Sequence, residues 1–236
     1  MRAEKAYAPL LSALLEDYRA VSREGPVSAV RFSEYIIYQE TGSRKKYEAA
    51  YFARRKRLNT YALMALVYPE EGEHLLQLQD TVWAICDEYT WALPAHIAWR
   101  TGRDPGCIDL FSAETGFALS TIRHLLGDRL HEKMKERIDW EINRRIIRPF
   151  LYRRFWWEHS NNNWAAVCAG SVGCTFMLSR PRLFSLIRPR IAFTMRRFLS
   201  GFSADGICAE GVDYWSYGFG FFTAVSYTHL TLPTIA

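Results

Sequence analysis

The run "NWAAVCAGSVGCTFML", Asn163 to Leu178, limits what this chain can fold into more than any other stretch. It carries no charge, and at helical spacing it leaves no polar face. A helix of that kind is stable only when neighbours cover it on every side. Its alanines and glycines predict that those neighbours approach closely. The run has about 15 apolar-leaning positions, short of the roughly 20 that a membrane span needs. A buried core helix is therefore expected, with no membrane partner.

The surrounding sequence supplies helices to cover it. Leu10, Leu11, Leu14 and Leu15 form one apolar stripe, and Leu58, Tyr61, Ala62 and Ala65 form another that stops at Pro69. Leu75, Leu78, Val82 and Ile85 repeat the pattern, as do Leu119, Ile122 and Leu126 ahead of Gly127. Met134, Ile138, Ile142 and Ile146 step by four until Pro149. Leu183, Ile187, Ile191 and Phe198 form the last stripe, closed by Gly201. No alternating strand pattern appears before residue 224. Short linkers make successive helices antiparallel neighbours. Amphipathic outer helices around a fully buried one predict an all-α fold, an incomplete α/α toroid of helical hairpins, with a plain bundle as the alternative.

Hydrophobic residues make up 49% of the 236, enough for a sizeable core. Eight Trp and 13 Tyr suit either that core or a groove that stacks on sugars. The net charge is +5, with basic clusters at Arg54 to Arg57 and from Asn143 to Arg154. Such clusters are solvated helix faces or meet an acidic polymer. No zinc-finger, RNP or helix-turn-helix signature accompanies them, so nucleic acid is not expected as a partner. Five scattered cysteines show neither disulfide-framework nor metal-knuckle spacing. Cys168 and Cys174 read as small core residues. A mixed-charge start with no signal-peptide pattern points to a cytoplasmic protein. Neither a metal nor a cofactor is expected.

Two stretches stand out chemically. "EHSNNNWAAVCAG", Glu158 to Gly170, places three asparagines at a helix start where one would suffice as a cap. "DGICAEGVDYWSYGFGFF", Asp205 to Phe222, sets Tyr214 and Tyr217 three apart, on one face if helical. Alone, paired tyrosines are usually packing.

Together, "NNNW", about fifty residues, and then "DGxxxEGxxYWxYG" resemble the heparinase II/III superfamily of polysaccharide lyases, which includes related alginate lyases. "DEYTWALPAHI" (Asp87 to Ile97) and "DLFSAETGFALS" (Asp109 to Ser120) resemble the helical domain of bacterial members. The resemblance runs from about residue 45 to 224. It implies an incomplete toroid followed by a β-sandwich domain, with the substrate groove between them. It also implies cleavage of uronic-acid polysaccharides, of the glycosaminoglycan or alginate type, by β-elimination without water. A tyrosine acts as base, acid or both, and Asn or His neutralises the uronate carboxylate.

That chemistry accounts for surplus asparagines. Removing the C5 proton builds negative charge beside the carboxylate, and neutral amide donors stabilise it there. A helix N-terminus adds N–H groups and a positive dipole end. The resemblance puts the amide on Asn162 or Asn163 and the tyrosine on Tyr214 or Tyr217. Since free tyrosine titrates near 10, basic neighbours are expected to lower it. Asn161, Trp164, Glu210, His159, Trp91 and His96 are the expected substrate-binding residues. Glu210 would orient a tyrosine or cap its helix, and Trp91 and His96 would border the groove from a loop. Many relatives have His directly after the Asn. Here that place holds Asn163 or Trp164, which leaves His159 behind the residues that touch the sugar or at the surface. Arg144, Arg145 and Arg148 would attract a polyanion or simply be solvated.

Two further readings stay open: an inverting glycosidase, with Asp87, Glu88 and Glu210 as its acids, and a non-catalytic carbohydrate-binding helical module. "VSYTHLTLPT", Val225 to Thr234, resembles a translated sequencing-library adapter. On that expectation residues 1–224 are the lyase domain and 225–236 a non-native tail, with His229 outside any site. The β-sandwich domain would then be missing, and the chain alone would be a poor catalyst.

Overall fold

The computed structural model describes residues 5–97, 106–208 and 210–228, without the side chains of 227 and 228; His229 and the rest of the tail lie outside them. Among the described residues every regular element is helical. In chain order these are α1 (Ala8–Arg23), α2 (Phe32–Tyr35), α3 (Ile37–Thr41), α4 (Lys45–Val67), α5 (Gly72–Cys86), α6 (Leu110–Leu125), α7 (Glu132–Ile142), α8 (Arg148–Tyr152), α9 (Asn163–Ser179), α10 (Pro181–Leu199) and α11 (Val212–Thr228). An isolated antiparallel bridge between Phe202 and Cys208 closes a turn at Asp205-Gly206, where Gly206 takes φ 82°. The expected all-α class is what the chain adopts. None of these helices is long and apolar enough to cross a membrane.

The chain divides into two compact units, Met1–Tyr89 with Leu125–Ile138, and Thr90–His124 with Asp139–Ala236. In the first, α4 packs against both α1 and α5. Leu58, Tyr61, Ala65, Leu78, Val82 and Ile85 form its core, as their spacing predicts. The α1 stripe is only partly used: Leu14 is buried, whereas Leu10 is 68% exposed.

The basic cluster of α4 is not a solvated face. Arg54 and Arg57 are buried. Arg54 and Arg55 both donate to Glu88, just beyond α5. Arg57 donates to the Gly25 carbonyl and to Gln77, beneath the ring of Tyr61. Charges this deep are held by the Glu88 carboxylate at Arg54 and by neutral oxygens at Arg57.

In the second unit α9 lies against α10 on one side and α11 on another. Its residues from Ala165 to Phe176 are all buried, as a helix without a polar face requires. Glycines set the spacing. A Cβ on Gly170 would stand 2.7 Å from the Phe221 carbonyl oxygen, and one on Gly173 2.8 Å from a Val225 methyl. Cys168 and Cys174 fill this core as small residues, and burial pushes both thiols up, Cys174 to about 12.

Helix does not stop at Pro149. A single π turn, Asn143–Ile147, precedes it, and the Arg148 N–H bonds the Asn143 carbonyl five residues back. Proline has no N–H, and its ring clashes with the carbonyl four residues earlier in a regular helix. The wider turn shifts the ladder ahead of Pro149, so helix resumes as α8.

Candidate functional site

All ten expected site residues fall in the second unit, on α9, α11 and the segments before α6, α9 and α11. The start of α6 organises one part. Asp109, immediately before the helix, is buried and accepts the Ser112 N–H at 2.7 Å, the standard service of an N-cap. Its other oxygen accepts the Leu93 N–H and meets His96 Nδ1 at 2.8 Å. His96, in the short turn Pro94–His96, is thereby fixed in orientation. Its ring stacks on Phe111 and meets Trp164 edge-on at 4.9 Å.

One turn further along α6, Glu114 accepts a hydrogen bond from the Tyr217 hydroxyl. Burial is the main influence on both groups. It raises Glu114, the nearby Asp109 charge adds to this, and the hydrogen bond from Tyr217 opposes it, leaving the carboxyl at about 7. Burial and the charge of Glu114 hold the Tyr217 phenol well above the free tyrosine range. The expectation of basic neighbours that lower the tyrosine is therefore reversed: Tyr217 is a neutral phenol tied to a carboxylate that ionises near neutrality. Tyr214 does not share this setting and is 54% exposed. Three residues turn a helix by about 300°, so the two side chains diverge by about 60°.

The three asparagines have three different surroundings. Asn161 is exposed, and its carbonyl faces Gly201 so closely that a Cβ there would stand 2.0 Å from the oxygen. Asn162 is the N-cap residue of α9, but its side chain makes no capping bond. Its Oδ1 instead accepts the Ser160 hydroxyl at 2.6 Å, so the amide NH₂ is the part left to donate. Asn163 is buried, and its backbone N–H goes to Glu210 at 2.6 Å. Glu210 thus caps α9 from the loop ahead of α11. It neither caps α11 nor bonds a tyrosine among the described residues.

The remaining candidates separate. His159 is exposed, its ring against Phe193 of α10 and its carbonyl accepting from Arg197. Trp91 is buried under the Arg145 guanidinium and has no face for a sugar. Arg144 and Arg145 pair with Glu141, leaving Arg148 exposed. Of the acids considered for hydrolysis, Asp87 pairs with Arg137, and Glu88 is locked between two arginines. Among the described residues no cluster of three or more His, Cys, Asp or Glu is placed to hold a metal ion.

Glu114 and Asp109 are not among the residues the sequence singles out, although both lie in "DLFSAETGFALS". Asp109 carries a readable signal, an aspartate directly before the run that becomes α6, the residue type that caps a helix start. Glu114 carried a weaker one, a lone acid flanked by small residues that are buried. No protein-family model and no curated protein matches this chain.

Proposed function

We propose that residues 1–224 are the helical domain of a polysaccharide lyase that opens uronic-acid polymers by β-elimination, with Tyr217 and Glu114 moving the proton. The incomplete toroid, a cytoplasmic setting and the β-sandwich domain that completes the groove in such lyases belong to the same proposal. The reading is carried by the hydrogen bond from Tyr217 to Glu114.

A phenol this hard to ionise does not wait as a tyrosinate. It takes the C5 proton on Oη while its own proton passes to the Glu114 carboxylate. The C5–H electron pair forms the C4–C5 double bond, and the C4–O bond breaks toward the leaving sugar. That oxygen receives the proton back from Glu114 through Tyr217. Water takes no part, and Glu114 ends as it began. A carboxyl at about 7 suits both directions of transfer near neutral pH. Asn162, its oxygen held by Ser160, offers its NH₂ to the uronate carboxylate as charge builds beside it.

The test is to incubate the gene product carrying this chain with a panel of polyuronates. Elimination yields an ultraviolet-absorbing unsaturated sugar, and the fragment masses sum to that of the substrate. Fragments heavier by one water would make the site hydrolytic and end the proposal.

A further inference from the structure

We propose that a cavity beside the start of α6, separate from the Tyr217–Glu114 pair, binds an acidic sugar unit through Arg153, Arg154, Trp156 and Trp164. For its ligand class the proposal rests on the lyase reading. The cavity measures about 420 Å³, within the range of small-ligand pockets, and His96, Cys107 and Asp109 form its other wall.

Its aromatic lining is offered to solvent. Trp156 is 62% and Tyr152 81% exposed, in a unit that buries Trp91 and Trp157 almost completely. Trp156 and Trp164 lie 4.9 Å apart at 44° to each other, so their faces are not parallel. Two rings so tilted cannot both lie flat on a planar base. They suit a puckered pyranose, whose C–H groups point in several directions.

The described residues leave charge available here as well. Arg190, Arg145 and Arg144 are used in pairing or holding the backbone. Arg153 and Arg154 are exposed and form no ion pair among the described residues. Their segment is nonetheless held in place. Arg190 donates to the carbonyls of Phe150 and Arg153 and to Glu158, whose own oxygen accepts the Phe155 N–H. Gly106 makes room for one guanidinium, since a Cβ there would lie 1.8 Å from Arg153 Nη1. The carboxylate in the wall, Asp109, is already satisfied by Ser112, Leu93 and His96, so it does not take these arginines from an anion. Two guanidiniums beside stacking rings recognise a ring that carries a carboxylate or sulfate.

The probe is a uronate disaccharide, compared with the same disaccharide reduced at its carboxyls, each titrated into the protein by calorimetry. The acidic sugar is expected to bind about tenfold tighter, a preference that shrinks with added salt. Arg153→Ala with Arg154→Ala should abolish the preference. Trp156→Ala should weaken both sugars. Equal affinity for the two sugars, a preference that survives loss of both arginines, or no binding of either would overturn the pocket. A lasting acid preference with no unsaturated product from any polymer would overturn the lyase reading and leave the pocket standing.

Discussion

The hydroxyl of Tyr217 on α11 is hydrogen-bonded to the carboxylate of Glu114 on α6, across 103 residues of sequence. Neither group is in its ordinary ionisation range: burial raises both, Glu114 raises Tyr217 further, and the bond from Tyr217 offsets part of the rise at Glu114. Tyr217→Phe removes one hydroxyl and keeps the ring. Turnover should fall by about 10²-fold or more, the low end of acid–base contributions. Tyr214→Phe should stay close to the parent rate. Product absorbance checks both, and a large loss confined to the Tyr214 variant would exchange their roles.

Glu114 gives a pH dependence whose sign is fixed. Its folded pKa, about 7, lies above the ordinary carboxyl value of 4.5, so between those limits the folded chain binds more protons than the unfolded one. Its contribution to stability is present below about 4.5 and is lost as pH rises through about 7. Glu114→Gln should therefore be more stable than the parent at pH 8, by at most about 3 kcal/mol, and near-equal at acid pH. Urea midpoints at the two pH values decide this. In the active protein the same group should set the acid limb of kcat/KM near 7. Tyr217→Phe deletes a hydrogen bond that lowers Glu114 and should shift that titration upward.

At the start of α9 the acceptor is Glu210 rather than an asparagine side chain. Glu210→Ala should cost about 1 kcal/mol, the usual cost of losing a cap, and Glu210→Gln less, because an oxygen remains. Asn162→Ala should cost less than Glu210→Ala in the same unfolding experiment while lowering the elimination rate. If Asn162→Ala proves the more damaging to stability, the capping roles are reversed.

Gly170 and Gly220 make a matched pair. An alanine at 170 meets the backbone oxygen of Phe221 and must push α9 and α11 apart, at about 1–3 kcal/mol. At 220 nothing lies within 4 Å, and Gly220→Ala should stabilise α11 by up to about 1 kcal/mol. Thermal unfolding of the two variants reads the difference directly.

These residues also show what the sequence could disclose. The burial of α9 was legible because absence of charge is a property of the segment itself. The helical stripes were legible for the same reason, and Leu10 marks the limit, since periodicity does not say which residues find a neighbour. Arg54 and Arg57 looked like surface charges because their partners, Glu88 and the Gly25 carbonyl, are 25 or more positions away in the chain. Glu114 was overlooked for a related reason: a carboxylate becomes chemically distinctive only through its contacts. The reversal of the expected Tyr217 shift follows directly, because motif spacing places a tyrosine but says nothing of the charge opposite it.

The π turn ahead of Pro149 makes the end of this helix sensitive to deletion in a way that loops are not. One surplus residue sits in the turn, absorbed without breaking the rod. Removing one of the five residues from Asn143 to Ile147 would restore a regular ladder and leave the residues beyond it facing as before, but Pro149 would then meet the carbonyl four residues back with no wide turn to relieve it. The place of Pro149 within the helix is therefore written into the backbone just upstream, as a count rather than as a side chain.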